Sequence, residues 1–324
     1  ANLVDSEGGI GLNEYVYVPG RDRTVRQYVE ESQITVGEAG PLVASLIIDS
    51  SAPGARSLRR ELRLVAGSPE LQIVNTIDKL PIREKEAVFF AFPMGMQNPE
   101  TRHDTPWSVV EVESDQLRGG CRNYLTVQRW VDVCGDGGGA TLVTVDAPLI
   151  QVGDIRTDVP FMWGAAPEWE RSLAPSGTIF SYVMNNYWET NYKADQEGLA
   201  EFRYALTPYH GTFNALAAAR RGMEETRPLL AAPAGAEQTG VASAVTVDAA
   251  GVLATSVRPA PEGEGLLVRL FAASGKPETV SLQLTGRAPA RVTLTDPDGY
   301  GTERVELPLR MPAWGVRTVR LEAE

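Results

Sequence analysis

The chain is written as short apolar runs of strand length, separated by clusters of glycine, proline and aspartate. Such runs occupy 42–49 (LVASLIID), 71–78 (LQIVNTID), 87–94 (AVFFAFPM), 124–133 (YLTVQRWVDV) and 140–148 (ATLVTVDAP). In the fourth, Leu125, Val127, Val131 and Val133 share one face of a period-two strand, as a half-buried antiparallel sheet requires. The pattern predicts a mainly β architecture. Helical spacing is convincing only over 211–226, where Phe213, Leu216, Arg220 and Met223 mark one side.

An Ala-, Pro- and Gly-rich stretch at 228–240 reads as a linker. Beyond it come about six strand-like runs, the pattern of a small β-sandwich. Two of them, GLLVRLFAAS and ETVSLQLTG, flank Gly275-Lys276-Pro277, and DPDG at 296–299 predicts a turn. The expected organisation is a large β domain over 1–227 with one helix near 211–226, a linker at 228–240, and a small C-terminal β-sandwich over 241–324. A stretch of that length in many strands resembles the two-sheet supersandwich of galactose-mutarotase-like domains.

Charge narrows the partners. With 42 acidic against 30 basic side chains in 324 residues, the formal charge is −12. Such a surface repels phosphate backbones and anionic headgroups, so neither nucleic acid nor membrane is an expected partner. No run of about 20 apolar residues could span a bilayer, and the first thirty residues lack a signal pattern. The sequence opens on Ala1, as an excised or processed product would. The compartment is left open, with a soluble, cytoplasmic setting favoured. Cys121 and Cys134 are too few for a disulfide framework and are expected as thiols, although a bridge between them stays open.

Candidate chemistry is sparse. His103 and His210 are the only histidines, and neither has a second ligand-type residue at metal-binding spacing, so no metal site is expected in this chain. No GxSxG elbow occurs. GDGGGA at 135–140 lacks the Lys-Ser/Thr of a phosphate loop and reads as a tight hairpin. Glu189, Asp195 and Glu197 could supply a carboxylate pair, with a solvated loop as the plainer account. The segment NNYWETNYKADQEG, 185–198, is the strongest candidate. Sugar sites combine an aromatic face with planar amides and carboxylates, and Asn185, Asn186, Trp188, Glu189, Asn191 and Tyr192 provide those types in one loop. The competing reading is structural, with asparagines satisfying loop backbone and Trp188 anchoring it.

Several phrases in order resemble the C-terminal β region of bacterial family 38 glycoside hydrolases, the α-mannosidase family: LNEYVYVPGRD (12–22), IDKLPIREKEAVFFAFP (77–93), ESDQLRGGCRNYLTVQRWVDV (113–133), DAPLIQVGDI (146–155), NNYWETNYKADQEG and LLVRLFAASGKPETVSL (266–282). The resemblance implies a parent enzyme whose zinc ion and aspartate nucleophile sit in an N-terminal catalytic barrel that this sequence does not match. The chain itself would then be non-catalytic, without cofactor, packed on that missing domain and facing mannose-containing glycans. It also points to Asp146, with Pro148, as a turn beside the cleft, and to a second loop carrying Phe92, Met94, Arg102 and Trp107. The alternatives are a free-standing carbohydrate-binding module and an enzyme in its own right, either a mutarotase, which would need His103 or His210 facing Glu189, or a polysaccharide lyase, which would need a Tyr or His base beside a group that neutralises a uronate carboxylate.

Overall fold

The computed structural model describes residues 3–5, 9–157, 169–188, 191, 193–233, 243–261 and 265–323. By contacts the chain divides into two compact units, 1–105 with 109–213, and 106–108 with 214–324. Among the described residues, the regular structure of the first unit is all β. Its strands are β1 Glu14–Pro19, β2 Gln27–Tyr28, β3 Ser32–Ala39, β4 Val43–Ser50, β5 Ala55–Val65, β6 Leu71–Lys79, β7 Glu86–Pro93 and β8 Glu100–Thr105. They continue with β9 Ser108–Glu111, β10 Leu125–Thr126, β11 Trp130–Gly135, β12 Gly138–Thr144, β13 Leu149–Val152, β14 Thr178–Asn185 and β15 Gly198–His210.

These strands form two antiparallel sheets. One has six strands in the order β10-β13-β14-β7-β1-β2, the other nine in the order β3-β4-β5-β6-β15-β12-β11-β8-β9. A single core joins their facing sides: Tyr15, Phe90, Phe92 and Ile179 from the first, Leu58, Ile73, Ile77, Val131, Leu142 and Tyr204 from the second. Phe90 sits at its centre, its ring 5.9 Å from Tyr15, 6.3 Å from Phe202 and 6.2 Å from Tyr204. Two buried polar links cross the core. Asn13 and Asn75 exchange reciprocal 2.8 Å amide bonds, and the Tyr204 hydroxyl meets Ser181 Oγ at 2.9 Å. These bonds satisfy polar groups that water cannot reach.

The continuous run AVFFAFP does not alternate, and β7 shows why: all eight of its residues are buried. Its other face packs Ala87, Phe89 and Ala91 against Val16, Phe180, Tyr182, Ile155 and Tyr187. A strand covered on both sides needs no polar face.

The run 124–133 is interrupted between β10 and β11. Buried Asp104 is the cause: its Oδ1 accepts the amides of Gln128, Arg129 and Trp130 at 3.0, 2.8 and 3.0 Å, removing them from the sheet ladder. GDGGGA is a hairpin, with Gly135 paired to Gly138 and Gly137 at a φ of +86°. A Cβ on Gly139 would lie 2.4 Å from the Tyr209 hydroxyl, so the turn's last glycine also admits that ring.

The second unit holds α1 Ala215–Thr226 and strands β16 Val245–Asp248, β17 Val252–Pro259, β18 Leu266–Ala272, β19 Glu278–Leu284, β20 Arg291–Thr295, β21 Glu303–Arg304, β22 Leu309–Met311 and β23 Val316–Glu322. Asn214 caps the helix, its side chain accepting the Ala217 amide at 3.1 Å. The expected boundary at 227 places this helix in the large domain, whereas its hydrogen bonds fall with the later strands: Arg220 donates to the Ala250 carbonyl at 3.0 Å and Arg227 to the Thr255 carbonyl at 2.5 Å. The strands form a three-stranded sheet, β16-β19-β22, and a five-stranded one, β17-β18-β23-β20-β21, around a shared apolar core. The runs flanking Gly275-Lys276-Pro277 therefore belong to different sheets; they are not a hairpin. The DPDG turn is present, with Asp296 Oδ1 taking the amides of Asp298, Gly299 and Tyr300.

Candidate functional site

Strand β14 ends at Asn185, where the chain turns because its Oδ1 accepts the Tyr187 amide at 3.3 Å. Asn186 is used entirely by the fold. Its Oδ1 accepts the Glu86 amide at 2.7 Å, and its Nδ2 donates to the carbonyls of Ile82 at 3.2 Å and Glu84 at 2.7 Å. Lys85 Nζ donates to the Asn186 carbonyl at 3.0 Å. This asparagine thus clamps the connection between β6 and β7. Tyr187 is fully buried and donates to the Gly20 carbonyl at 2.9 Å, with the Arg21 guanidinium 5.4 Å from its ring centroid.

The clamped connection carries a buried ion pair. Lys79 Nζ lies 2.6 Å from Glu86 Oε1, and the Tyr17 hydroxyl donates to Glu86 Oε2 at 2.6 Å. Burial, then the Glu86 bond, pushes the Tyr17 phenol up. The first half of the segment is therefore an anchor. Trp188 beyond it is half-buried and Asn191 is exposed, while Glu189 and Tyr192 lie outside the described residues. Of the other acids in the loop, Asp195 pairs with Arg83 at 3.6 Å and Lys193 at 3.7 Å, and Glu197 with Lys193 at 2.5 Å.

The remaining candidates are tied to separate partners. Asp146 receives Arg203 in a two-pronged pair at 2.9 and 2.8 Å, and also the Arg203 amide. The guanidinium bond holds its carboxyl below the usual range. Arg102 is held by Glu100 at 2.7 Å and Glu111 at 2.5 Å, and lies over the Phe213 ring. Trp107 belongs to the second unit, edge-on to Phe271 at 5.5 Å. Met94 and Phe92 are core residues. Among the described residues, each of these groups has partners other than Asn185, Asn186, Tyr187 and Trp188.

The histidines and cysteines fit no metal. His103 is buried and its Nδ1 faces the Asp104 carbonyl at 3.3 Å, and burial lowers its pKa. Among the described residues no three His, Cys, Asp or Glu side chains come together as ligands, and Cys121 and Cys134 are free thiols. The described residues do not fit zinc. No described helix is long and apolar enough to cross a membrane.

Two further features lie outside the motifs named from the sequence. Asp132 is wholly buried on the outward face of β11, accepting Thr141 Oγ1 at 2.6 Å and the Tyr209 hydroxyl at 2.7 Å; burial raises its carboxyl to about 6. Its position between inward Val131 and Val133 is a legible signal of that face. The second is an open concavity of about 760 Å³ beside β2, lined by Arg26, Gln27, Tyr28, Glu30, Glu31 and Ser51 among others. It offers an aromatic ring, an amide and carboxylates, and among the described residues none of Asn185 to Trp188 lines it.

Solved structures share this fold. A protein in the glycosyl hydrolase family 38 from Enterococcus faecalis aligns over 96% of this chain and 40% of its own, with a TM-score of 0.73 and 17% identity. An alpha-mannosidase from Enterococcus faecalis V583 aligns over 96% and 38%, with a TM-score of 0.72 and 16% identity. No family model matches the chain, and no curated protein does. The chain thus has the fold of a part of these proteins and spans about two fifths of their length.

Proposed function

We propose that this chain is the non-catalytic β portion of a glycoside hydrolase of the family 38, α-mannosidase-like type. It packs on a catalytic domain outside these residues and presents the Trp188–Asn191 end of its loop to a mannose-containing glycan. The observation that supports this best is the coverage: nearly the whole chain aligns, yet it accounts for two fifths of proteins named as glycosidases. The internal use of the acids agrees with it. Glu86, Asp104, Asp132 and Asp146 each serve a fold contact, so they do not form a free acid–base pair of the kind glycoside hydrolysis needs.

In this reading the zinc and the nucleophile belong to the other domain, and Trp188 and Asn191 position sugar and exclude water. The test is hydrolysis of an aryl α-mannoside by the native polypeptide and by the 324-residue chain alone. Turnover by the first and none by the second is expected; turnover by the isolated chain overturns the proposal. The second reading, a free-standing carbohydrate-binding module, is favoured by the concavity around Tyr28, Gln27 and Glu30. Calorimetric titration of the isolated chain with mannose oligosaccharides separates the two, since only the module predicts millimolar or tighter binding.

A further inference from the structure

The side of the nine-stranded sheet that faces the six-stranded one is not covered throughout. Strands β3, β4 and β5 lie at the end of the larger sheet. Their pairing places Ile34 opposite Ile48, Val36 opposite Leu46, Leu46 opposite Leu62 and Leu64 opposite Leu71, all on the core-facing side. Leu62 and Leu71 still pack against the core. Past them the apolar surface continues bare: Ile34 is 64% exposed, Val36 67%, Leu46 43% and Leu64 54%. The opposite face of the same strands carries ion pairs, Arg59 with Asp49 at 3.1 Å and Arg63 with Glu38 at 3.2 Å. The strands at this end thus alternate as the core strands in the middle of the sheet do, and the end lacks their cover.

We propose that this face, built on Ile34, Val36, Leu46 and Leu64, is the docking surface for the remainder of a longer polypeptide to which the chain belongs, a separately folded domain presenting an apolar patch. The inference rests on the proposed function above. Three observations favour that occupant. The solved structures that share the fold contain about three fifths of their length beyond the aligned part, ample for a domain. A second copy is disfavoured because each carries a charge of −12. Strand-to-strand extension by a copy is also disfavoured, since the register of the edge strand β3 is broken by a bulge between Val36 and Ala39.

The experiment places cysteines at Ile34→Cys and Leu64→Cys, singly, in the native polypeptide and in the 324-residue chain. Maleimide labelling is read peptide by peptide, so that Cys121 and Cys134 are counted apart. Leu229→Cys, at a fully exposed position, is the control. The proposal predicts labelling at both sites slower by roughly tenfold or more in the longer polypeptide, with the control unchanged. Equal rates in the two proteins overturn it. Protection that appears in the 324-residue chain only on raising its concentration also overturns it, in favour of a second copy. Amide exchange over 32–65 in the unsubstituted proteins gives the same reading without a variant. Mannosidase turnover of the longer polypeptide is scored separately, so loss of the docking surface and loss of the proposed function are distinct results.

Discussion

The middle of the nine-stranded sheet and its β3–β5 end present the same alternation to the same side and meet different fates. Around β6, β15 and β12 the inward residues Ile73, Ile77, Leu142, Tyr204 and Leu206 are buried beneath the six-stranded sheet. Around β3, β4 and β5 the inward residues Ile34, Val36, Leu46 and Leu64 stand in solvent. Alternation specifies which face of a strand is apolar; it carries no information on what covers that face. The difference therefore lies in what covers the face and not in the kind of strand.

The covered region should be sensitive to truncation. Phe90→Ala removes a fully buried ring that meets three aromatic partners, and a loss of about 3–5 kcal/mol is expected in chemical denaturation. A loss below about 1 kcal/mol would mean that the two sheets are not packed as described.

Asp132, on the outward side of that covered half, sharpens the comparison through pH. Its carboxyl is raised from 3.8 to about 6 by burial, so between these values the folded protein binds more protons than the unfolded one. Stability contributed by this group therefore falls as pH rises from about 4 to about 6, by an amount on the order of 2–3 kcal/mol, and is flat above. Asp132→Asn should remove that fall, seen as the difference between variant and parent melting curves from pH 4 to 7. An unchanged pH dependence would contradict the burial of this carboxyl.

Asn186→Ala leaves the Glu86 amide and the Ile82 and Glu84 carbonyls without their partner, and about 1–3 kcal/mol of destabilisation is expected. Trp188→Ala, two residues on, should leave stability nearly unchanged and raise KM for an aryl mannoside in the native polypeptide by about fivefold, the equivalent of about 1 kcal/mol of aromatic contact. Equal effects of the two substitutions on stability would erase the division between anchor and exposed end.

The smallest effect belongs to the bare end of the sheet. Ile34→Ser should change the stability of the 324-residue chain by less than about 0.5 kcal/mol, as exposed positions do. A larger loss would show that the isolated chain already covers this face.

Strand existence was legible wherever a run was apolar and bounded by turn residues, as in 71–78 against β6 and 87–94 against β7. The break after Thr126 was not, because it depends on a carboxylate 24 residues away in sequence that captures three amides. The assignment of α1 to the second unit also rests on long-range bonds, those of Arg220 and Arg227. At the candidate loop, residue type gave two readings of the asparagines, and the structure separates them only in part. Asn186 is a clamp because its partners in 82–86 come from a distant connection, which spacing cannot reveal. The pairing of Asp146 with Arg203 is hidden for the same reason.

The measurement that bears most directly on the account is the intact mass of the native polypeptide containing these residues. A mass at least twice the 35.1 kDa of this chain is predicted, with room for a catalytic domain that covers the β3–β5 face. A native mass near 35 kDa would contradict it and leave the chain to be tested as a sugar-binding module in its own right.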